Sequence, residues 1–498
     1  METSLSSVSP DCKADHLFLV SKTGSYTYQN LQCFGEAFIH FLKEHDCINI
    51  TQPIGLCAQP SDELVFIIAT CWKLGIPFVS FNPNAQPSLL EKQIQAIDPS
   101  IIISDSAKTD RHSNKKTIPI KELKCPDVLP KNSALKTGSY IQVTHHQPSR
   151  KFGYFFTSGT SNQPKIAPLK RRQMHAAAKS SAKNLKPATN ECWLLCLPLH
   201  HIGGISVILR SLIYGSAIYR MDRFDEKETA RHFSENKQVV AASLVPTMLN
   251  RLLDEPEFTI HKLFRAILLG GGPISPQLLR KSINQNIPVI PSYGMTETCA
   301  QIAANPIFEM PENEALLNSV GRVFNSNKIK IQNNDRSVHA GNSGTIWLKG
   351  PQVFDGYHPT SSQNNFDESG WFNTGDFGHL DEKDNLYIEA RRADLIITGG
   401  ENVSPFEVET ALQKLDAVKE GAVFGVPDEE WGQKVVAAVV FEKGKKLSKQ
   451  TLQKKLHNQL EDFKIPKEII FAETLPRTET GKIKRHQLLP LFKPQESS

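Results

Sequence analysis

Over the first two thirds of the chain, short runs of apolar residues alternate with amphipathic stretches. The runs at residues 54–58, 78–81, 101–104, 239–245 and 266–269 predict buried strands, and the segments 62–74 and 227–236 predict helices. That alternation points to α/β layers on largely parallel sheets, since a parallel neighbour needs a crossover long enough to hold a helix. From residue 338 to 378 the pattern turns to short strands broken by glycines, as in Gly344-Thr-Ile-Trp-Leu-Lys-Gly350, and predicts a small β-rich subdomain.

After Glu389 the character changes again. Ser404-Pro-Phe-Glu407 carries two helix-start signals, a proline at the first helical position and a Ser/Glu capping box, and predicts a helix to Leu415. Strands at 422–426 and 435–441, a helix over 449–462 and a strand at 469–471 make up a compact α+β unit of roughly a hundred residues, an ordinary domain size. The expected fold is therefore α/β: a large N-terminal domain of layered sheets, residues 1–390, and a small α+β C-terminal domain, residues 394–498, with the boundary near Ala393.

A chain of 498 residues is too long for one ordinary core, which agrees with two domains. Its 57 basic and 52 acidic residues nearly cancel, so the net charge of +5 gives no nucleic-acid footprint. The one basic cluster, 443–455, is broken by leucines and glutamines and reads as a solvated helix face. No apolar run approaches the length of about 18 residues that a membrane span needs. The N-terminus carries Glu2, Asp11 and Asp15 and lacks a secretory pattern, and the C-terminal Gln-Glu-Ser-Ser is no peroxisomal address. Nine cysteines occur without a second pair to complete a zinc site around Cys192 and Cys196, so reduced thiols in a cytoplasmic protein are expected.

The chemistry concentrates first in Tyr154-Phe-Phe-Thr-Ser-Gly-Thr-Ser-Asn-Gln-Pro-Lys165. An apolar strand opens into a loop where Thr157, Ser158, Thr160 and Ser161 offer hydroxyl donors, Gly159 admits close backbone approach and Lys165 adds a point charge. Such a set suits a polyphosphate, although it lacks the ending of a Walker loop, and taken singly it is better read as a polar surface turn. Further motifs follow in order: Gly270-Gly-Gly-Pro273, Ser292-Tyr-Gly-Met-Thr-Glu-Thr298, Trp371-Phe-Asn-Thr-Gly-Asp376, Arg391-Arg-Ala-Asp394, Gly399-Gly-Glu-Asn402 and Pro476-Arg-Thr-Glu-Thr-Gly-Lys-Ile-Lys-Arg485. In this order and over nearly the whole length, the chain resembles the adenylate-forming superfamily of acyl-CoA synthetases, adenylation domains and luciferases.

The resemblance implies an ATP- and Mg²⁺-dependent activation of a carboxylic acid, with a mobile C-terminal domain and the site between the two domains. It assigns ATP to Thr157, Ser158, Gly159, Thr160, Ser161, Lys165, the adenine-side loop Gly270, Gly271, Gly272 and Pro273, the run Tyr293, Gly294, Met295 and Thr296, and the ribose pair Asp376 and Arg391. Thr296 matches the α-phosphate hydroxyl, Glu297 the metal-holding carboxylate and Lys482 the catalytic lysine. Gly399, Gly400 and Glu401 match the loop presented to CoA. Where many relatives carry a polar hinge residue, this chain has Ala393, which leaves the hinge open.

The acid is read from Leu197-Pro-Leu-His-His-Ile-Gly-Gly-Ile-Ser-Val-Ile-Leu-Arg-Ser-Leu-Ile-Tyr-Gly215. Arg210 lies in an apolar helical run, where a guanidinium is costly unless an anion meets it; a snorkelling or salt-bridged arginine is the plain alternative. Together with Gly270-Gly-Gly-Pro273 and Met295-Thr-Glu-Thr-Cys-Ala-Gln301, the stretch looks like the o-succinylbenzoate-activating ligases of the superfamily. That likeness implies an aryl dicarboxylic acid whose ring carboxylate meets Arg210 and whose acyl carbonyl is covered by His201. A ligase for another aryl or medium-chain acid, a carrier-protein adenylation module and an inactive nucleotide-binding regulator are the alternatives. A homo-oligomer stays open.

Overall fold

The computed structural model describes residues 8–47, 52–105, 115–123, 147–157, 165–256, 258–305, 314–333, 336–359, 365–391, 394–399, 401–428, 431–477 and 483–492. Among these residues four sheets form, of nine, six, five and five strands. The largest runs in spatial order Arg322–Val323, Ala300–Ala304, Val289–Met295, Ala266–Leu269, Val239–Leu244, Cys192–Leu195, Ala217–Arg220, Leu17–Ser21, Gly24–Thr27, and its pairs from Val289–Met295 to Leu17–Ser21 are all parallel. The six-stranded sheet is parallel too, except for the closing hairpin of Lys151–Thr157 and Lys165–Lys170.

The apolar runs are continuous rather than alternating because both faces of these strands are covered. Along Cys192–Leu195, Trp193 and Leu195 face a core shared with the six-stranded sheet, whereas Cys192 and Leu194 join the core on the opposite face. The shared core holds the helices Tyr28–Glu44, Asp62–Leu74, Arg171–Ser181 and Ile202–Tyr214, which pack on one another between the two sheets. Helix Asp62–Leu74 has the bounds expected from its sequence, started by Ser61 accepting from Leu64 N at 3.2 Å and ended by Gly75 in the left-handed region at φ +67°.

The β-rich unit is a five-stranded antiparallel sheet in the order Arg336–Ser337, Lys328–Asn333, Gly344–Lys349, Phe372–Leu380, Leu386–Arg391, and it spans more chain at both ends than the glycine pattern predicted. Beyond it, Val418–Asp428 and Gly432–Phe441 pair as a long hairpin flanked by Ile396–Thr398 and Glu468–Phe471. Alternate residues of that hairpin, Val423 against Ala422 and Phe424, enter two separate cores. In helix Lys449–His457, Leu452 and Leu456 are buried while Lys454 and Lys455 are exposed, the solvated basic face expected.

Two local expectations need correction. The helix over 449–462 stops at His457, where Gln459 N reaches only three residues back, to Leu456 O, and a short turn at Asp462–Lys464 follows. At Ser404 only half of the capping box forms: Ser404 Oγ accepts from Glu407 N at 3.3 Å, while the Glu407 carboxylate goes to Lys464 Nζ at 2.8 Å, a charged partner that outbids a backbone amide. Among the described residues no helix is long and apolar enough to cross a membrane.

A buried ion pair ties the largest sheet to the start of helix Asp62–Leu74. Arg220, at the end of Ala217–Arg220, donates from Nε to Asp62 Oδ1 at 2.5 Å, and both residues are 4% exposed. Ser21 Oγ donates to the other carboxylate oxygen at 2.7 Å. Arg220→Met is expected to lower stability by about 3–5 kcal/mol, because Asp62 is then left as a buried charge without its cation. Chemical denaturation followed by tryptophan fluorescence measures this, and an unchanged midpoint would show the pair to be ornamental.

Candidate active site

Three of the sequence motifs leave the large sheet at one end. His200 and His201 follow Cys192–Leu195, Gly270 follows Ala266–Leu269, and Thr296 follows Val289–Met295. These strands are parallel, so the motifs collect at their carboxyl ends, where open α/β sheets bind ligands. Their mutual approach depends on glycine. A Cβ on Gly270 would lie 2.9 Å from Ser292 Oγ, and one on Gly294 would lie 1.9 Å from Ala300 O. Gly271 sits in the left-handed region at φ +79°.

After Gly294 the chain makes a tight turn over Thr296–Thr298 and folds back as Ala300–Ala304. Thr298 Oγ1 accepts from Met295 N at 3.1 Å and lies 2.9 Å from Ala300 O, closing the turn. Cys299 and Ala300 take left-handed conformations at φ +54° and +72°, the kind of strain that marks sites where geometry is imposed. Glu297, at the centre of the turn, is 8% exposed, and its Oε1 accepts from Tyr357 Oη at 2.7 Å.

Tyr357 also links the hairpin of Lys151–Thr157 and Lys165–Lys170 to this turn. Thr157 and Lys165 face each other at its mouth, and Lys165 Nζ lies 5.2 Å from the centre of the Tyr357 ring. The sequence reading placed Thr157 in the loop; the ladder extends to it, so it is the last strand residue. Ser158, Gly159, Thr160 and Ser161 lie outside the described residues. Tyr357 itself escaped the sequence reading, since an aromatic residue after a loop glycine has no distinguishing spacing.

The expected ribose pair is neighbouring by register: Asp376 on Phe372–Leu380 stands opposite Arg391 on Leu386–Arg391. Asp376 is 5% exposed and accepts from Tyr293 Oη at 2.6 Å, which ties the β-rich sheet to the turn motif of the large sheet. Gly375 before it sits at φ +74°.

Of the residues expected to meet the acid, His201 is the exposed N-cap of helix Ile202–Tyr214, and its ring stands 4.3 Å from that of His200. Burial pushes the His200 imidazole down to about 4, so it is neutral near pH 7. Gly204 lets the helix start against Pro198, whose carbonyl oxygen a Cβ would approach to 2.5 Å. Arg210 lies nine positions beyond His201, about 13 Å of helix rise, and is 3% exposed. Its Nε donates to Ser206 O at 3.1 Å, Nη1 to Ser181 Oγ at 3.2 Å and Nη2 to Ser206 Oγ at 3.3 Å. The guanidinium carbon lies 4.4 Å from the Trp193 ring centre, and burial pulls the arginine's pKa down. Ser181 Oγ donates in turn to Gln301 Oε1 at 2.8 Å, so Arg210 is brought to the strand that follows Glu297. Ser181 and Trp193 were not singled out from sequence, where nothing sets one helical serine or one buried tryptophan apart.

In the C-terminal unit, Thr398 and Glu401 pair across a turn that begins at Gly399, with φ +58°. A Cβ there would meet Trp431 at 3.0 Å. Glu401 is exposed, and Gly400 and Lys482 lie outside the described residues. The flanks of Lys482 are tied together: Arg477 bridges Ile483, and Lys484 N donates to Pro476 O at 2.8 Å. Arg485 anchors them through Glu409, at 2.6 Å from Oε1.

No group of three His, Cys, Asp or Glu suited to a metal ion occurs among the described residues, and their cysteines are free thiols. Mg²⁺ accompanying a nucleotide is commonly held by one or two carboxylates with phosphate and water as its other ligands, a role the Glu297 carboxylate suits.

Comparison with known proteins follows the same lines. Residues 8–358 match the model of the AMP-binding enzyme family, and residues 407–482 match that of the AMP-binding enzyme C-terminal domain. A 2-succinylbenzoate–CoA ligase of Enterococcus faecalis is 35% identical over 88% of each chain. One of Bacillus licheniformis is 34% identical over 86% of this chain and 87% of its own. The structure of Bacillus subtilis o-succinylbenzoate CoA synthetase in complex with its acyl-adenylate intermediate superposes with a TM-score of 0.83 over 95% of both chains, at 30% identity. The same enzyme in complex with ATP and magnesium ion superposes with the same score, over 95% of this chain and 96% of its own.

The glycine contacts separate two kinds of position. Gly294→Ala is expected to destabilise the protein by about 1–3 kcal/mol or more, because the clash is with backbone and no side chain can turn away. Gly272→Ala, whose Cβ would make an ordinary 3.6 Å contact with Pro246, is expected to leave the melting temperature nearly unchanged. Equal melting temperatures for the two variants would contradict the close approach at Gly294.

Proposed function

This chain belongs to the AMP-binding enzyme family, and on that premise we propose that it is an ATP-dependent acid–thiol ligase for o-succinylbenzoate. It converts the acid, ATP and CoA into o-succinylbenzoyl-CoA, AMP and pyrophosphate, a step of menaquinone or phylloquinone synthesis. In the first half-reaction a carboxylate oxygen attacks the α-phosphorus, the bond to the bridging oxygen breaks and pyrophosphate leaves. Both reactants are anions, so the protein's task is charge neutralisation and alignment.

The residues divide that task. Thr157, Ser158, Gly159, Thr160, Ser161 and Lys165 hold the β- and γ-phosphates, and Thr296 holds the α-phosphate. Gly270, Gly271, Gly272 and Pro273 line the adenine side, and Asp376 with Arg391 holds the ribose. Lys482 supplies positive charge at the reacting centre. Glu297 would hold Mg²⁺, which neutralises phosphate charge when bound. In the second half-reaction the CoA thiol attacks the acyl carbonyl, sulfur replaces the phosphate oxygen and AMP leaves. Gly399, Gly400 and Glu401 of the C-terminal unit are assigned to the thiol's approach after that unit has rotated and withdrawn Lys482. Free thiols and a nucleotide substrate suit the reducing cytoplasm, to which we assign the reaction.

The observation that carries the choice of acid is the state of Arg210. Among the described residues its partners are a carbonyl, two hydroxyls and an indole face, with no carboxylate. Those bonds engage three of the roughly five guanidinium N–H donors and leave one on each terminal nitrogen. A buried cation with neutral partners and unused donors suits a substrate anion, and o-succinylbenzoate keeps its ring carboxylate while the aliphatic one reacts. His201, at the mouth of the same helix, is assigned to the acyl carbonyl.

Arg210→Ala should lower kcat/KM for o-succinylbenzoate by a factor corresponding to roughly 2–5 kcal/mol, with the KM for ATP near normal. An analogue without the ring carboxylate should be a poor substrate of the parent and lose far less in the variant. Arg210→Lys should recover only part of the activity, because an ammonium lacks the two parallel donors of a guanidinium. Equal loss on both acids would make Arg210 a packing residue and remove the main support for this substrate.

A further inference from the structure

We propose that Tyr357 is a positioning residue of the nucleotide site, whose hydroxyl orients the Glu297 carboxylate while its ring face holds the Lys165 ammonium. The inference rests on the nucleotide half of the proposed function and is independent of which acid is activated. Lys165 and Glu297 carry opposite charges and are destined for different partners, phosphate and metal. Left adjacent, they would neutralise each other. Among the described residues no ion pair joins them; the phenol stands between, offering its electron-rich face to the cation and its hydroxyl to the anion. One hydroxyl occupies one of about four acceptor sites of a carboxylate, so the contact fixes orientation without exhausting the group.

The loop that carries Tyr357 is itself held on both sides. Phe354 N donates to Glu297 O at 2.8 Å, and His358 N donates to Ile166 O at 2.9 Å, so the tyrosine is strung between the turn and the hairpin it connects. Asp355, two residues earlier, pairs with Lys170 Nζ at 2.7 Å and with Arg172. Phe354 is buried and meets the Tyr357 ring edge-on at a centroid distance of 4.8 Å, with Phe366 and Phe372 packed behind it. A side chain needed only to fill space would not require two backbone anchors and a charged clamp on its loop. Both groups it touches, moreover, are ones assigned to the triphosphate and its metal.

The test is a titration of Mn²⁺ into protein with ATP and no acid, read by electron paramagnetic resonance of the free ion. Tyr357→Phe keeps the ring, and with it the hold on Lys165, but removes the hydroxyl. Half-saturation should move to about ten-fold higher Mn²⁺, the usual scale for losing a hydrogen bond that orients a metal ligand. ATP affinity at saturating metal should stay at the parent value. Tyr357→Leu should raise both constants, since Lys165 and Glu297 can then collapse onto each other. In a Glu297→Gln background, Tyr357→Phe should add nothing. An unchanged Mn²⁺ titration in Tyr357→Phe, with or without a lower melting temperature, or a further ten-fold shift in the Glu297→Gln background, would overturn the proposal. Because no acid is present, an error in the acid assignment leaves this titration unaffected and appears instead as a parent enzyme inactive on o-succinylbenzoate.

Discussion

The contact of Glu297 with Tyr357 is where elements of three sheets meet in the proposed site. Glu297 comes from a turn at the carboxyl end of the large sheet, Lys165 from the hairpin that closes the six-stranded sheet, and Tyr357 from the loop between two strands of the β-rich sheet. A second junction, Tyr293 to Asp376 at 2.6 Å, joins the same turn motif to the β-rich sheet. Both are hydrogen bonds to buried carboxylates, which are stronger than neutral ones and costly to leave unmade. The proposed site thus draws on three sheets, and the Arg220–Asp62 pair ties the largest of them to helix Asp62–Leu74, which packs in the core shared by the two largest.

The backbone around this junction is shaped for close approach. Gly270 and Gly294 bring adjacent loops nearer than any side chain allows, and Cys299 with Ala300 accepts left-handed strain to turn the chain back. Strain of this kind persists only where surrounding contacts over-determine it, and here the hydroxyl of Thr298 closes the turn from within. The same economy of space recurs in the C-terminal unit, where Gly399 passes against the ring of Trp431.

Much of this was legible in the sequence, for physical reasons that also mark where legibility ends. Strands buried on both faces announce themselves as continuous apolar runs, so the expected strand at 266–269 and the helix at 62–74 match the observed elements to the residue. Motifs whose chemistry needs particular residue types at particular spacings, such as Tyr293 to Glu297, stood out in the same way. Tyr357, Ser181 and Trp193 did not, because their contacts with Glu297 and Arg210 reach across 60, 29 and 17 positions and their residue types are ordinary in loops and cores. The diversion of Glu407 to Lys464 was equally hidden, decided by a partner 57 positions away, and nothing in the pattern of 449–462 marked the early stop of the helix at His457.

What unites these features is the claim that the chain activates a dicarboxylic aryl acid as its adenylate and passes it to CoA. Exchange of labelled pyrophosphate into ATP, measured over a panel of acids without CoA, tests that claim most directly, with thioester formation followed when CoA is added. The account predicts exchange with o-succinylbenzoate far above benzoate, medium-chain fatty acids and malonate, and thioester only in the presence of CoA. Exchange that is equal across the panel, or absent with every acid although ATP binds, would contradict it.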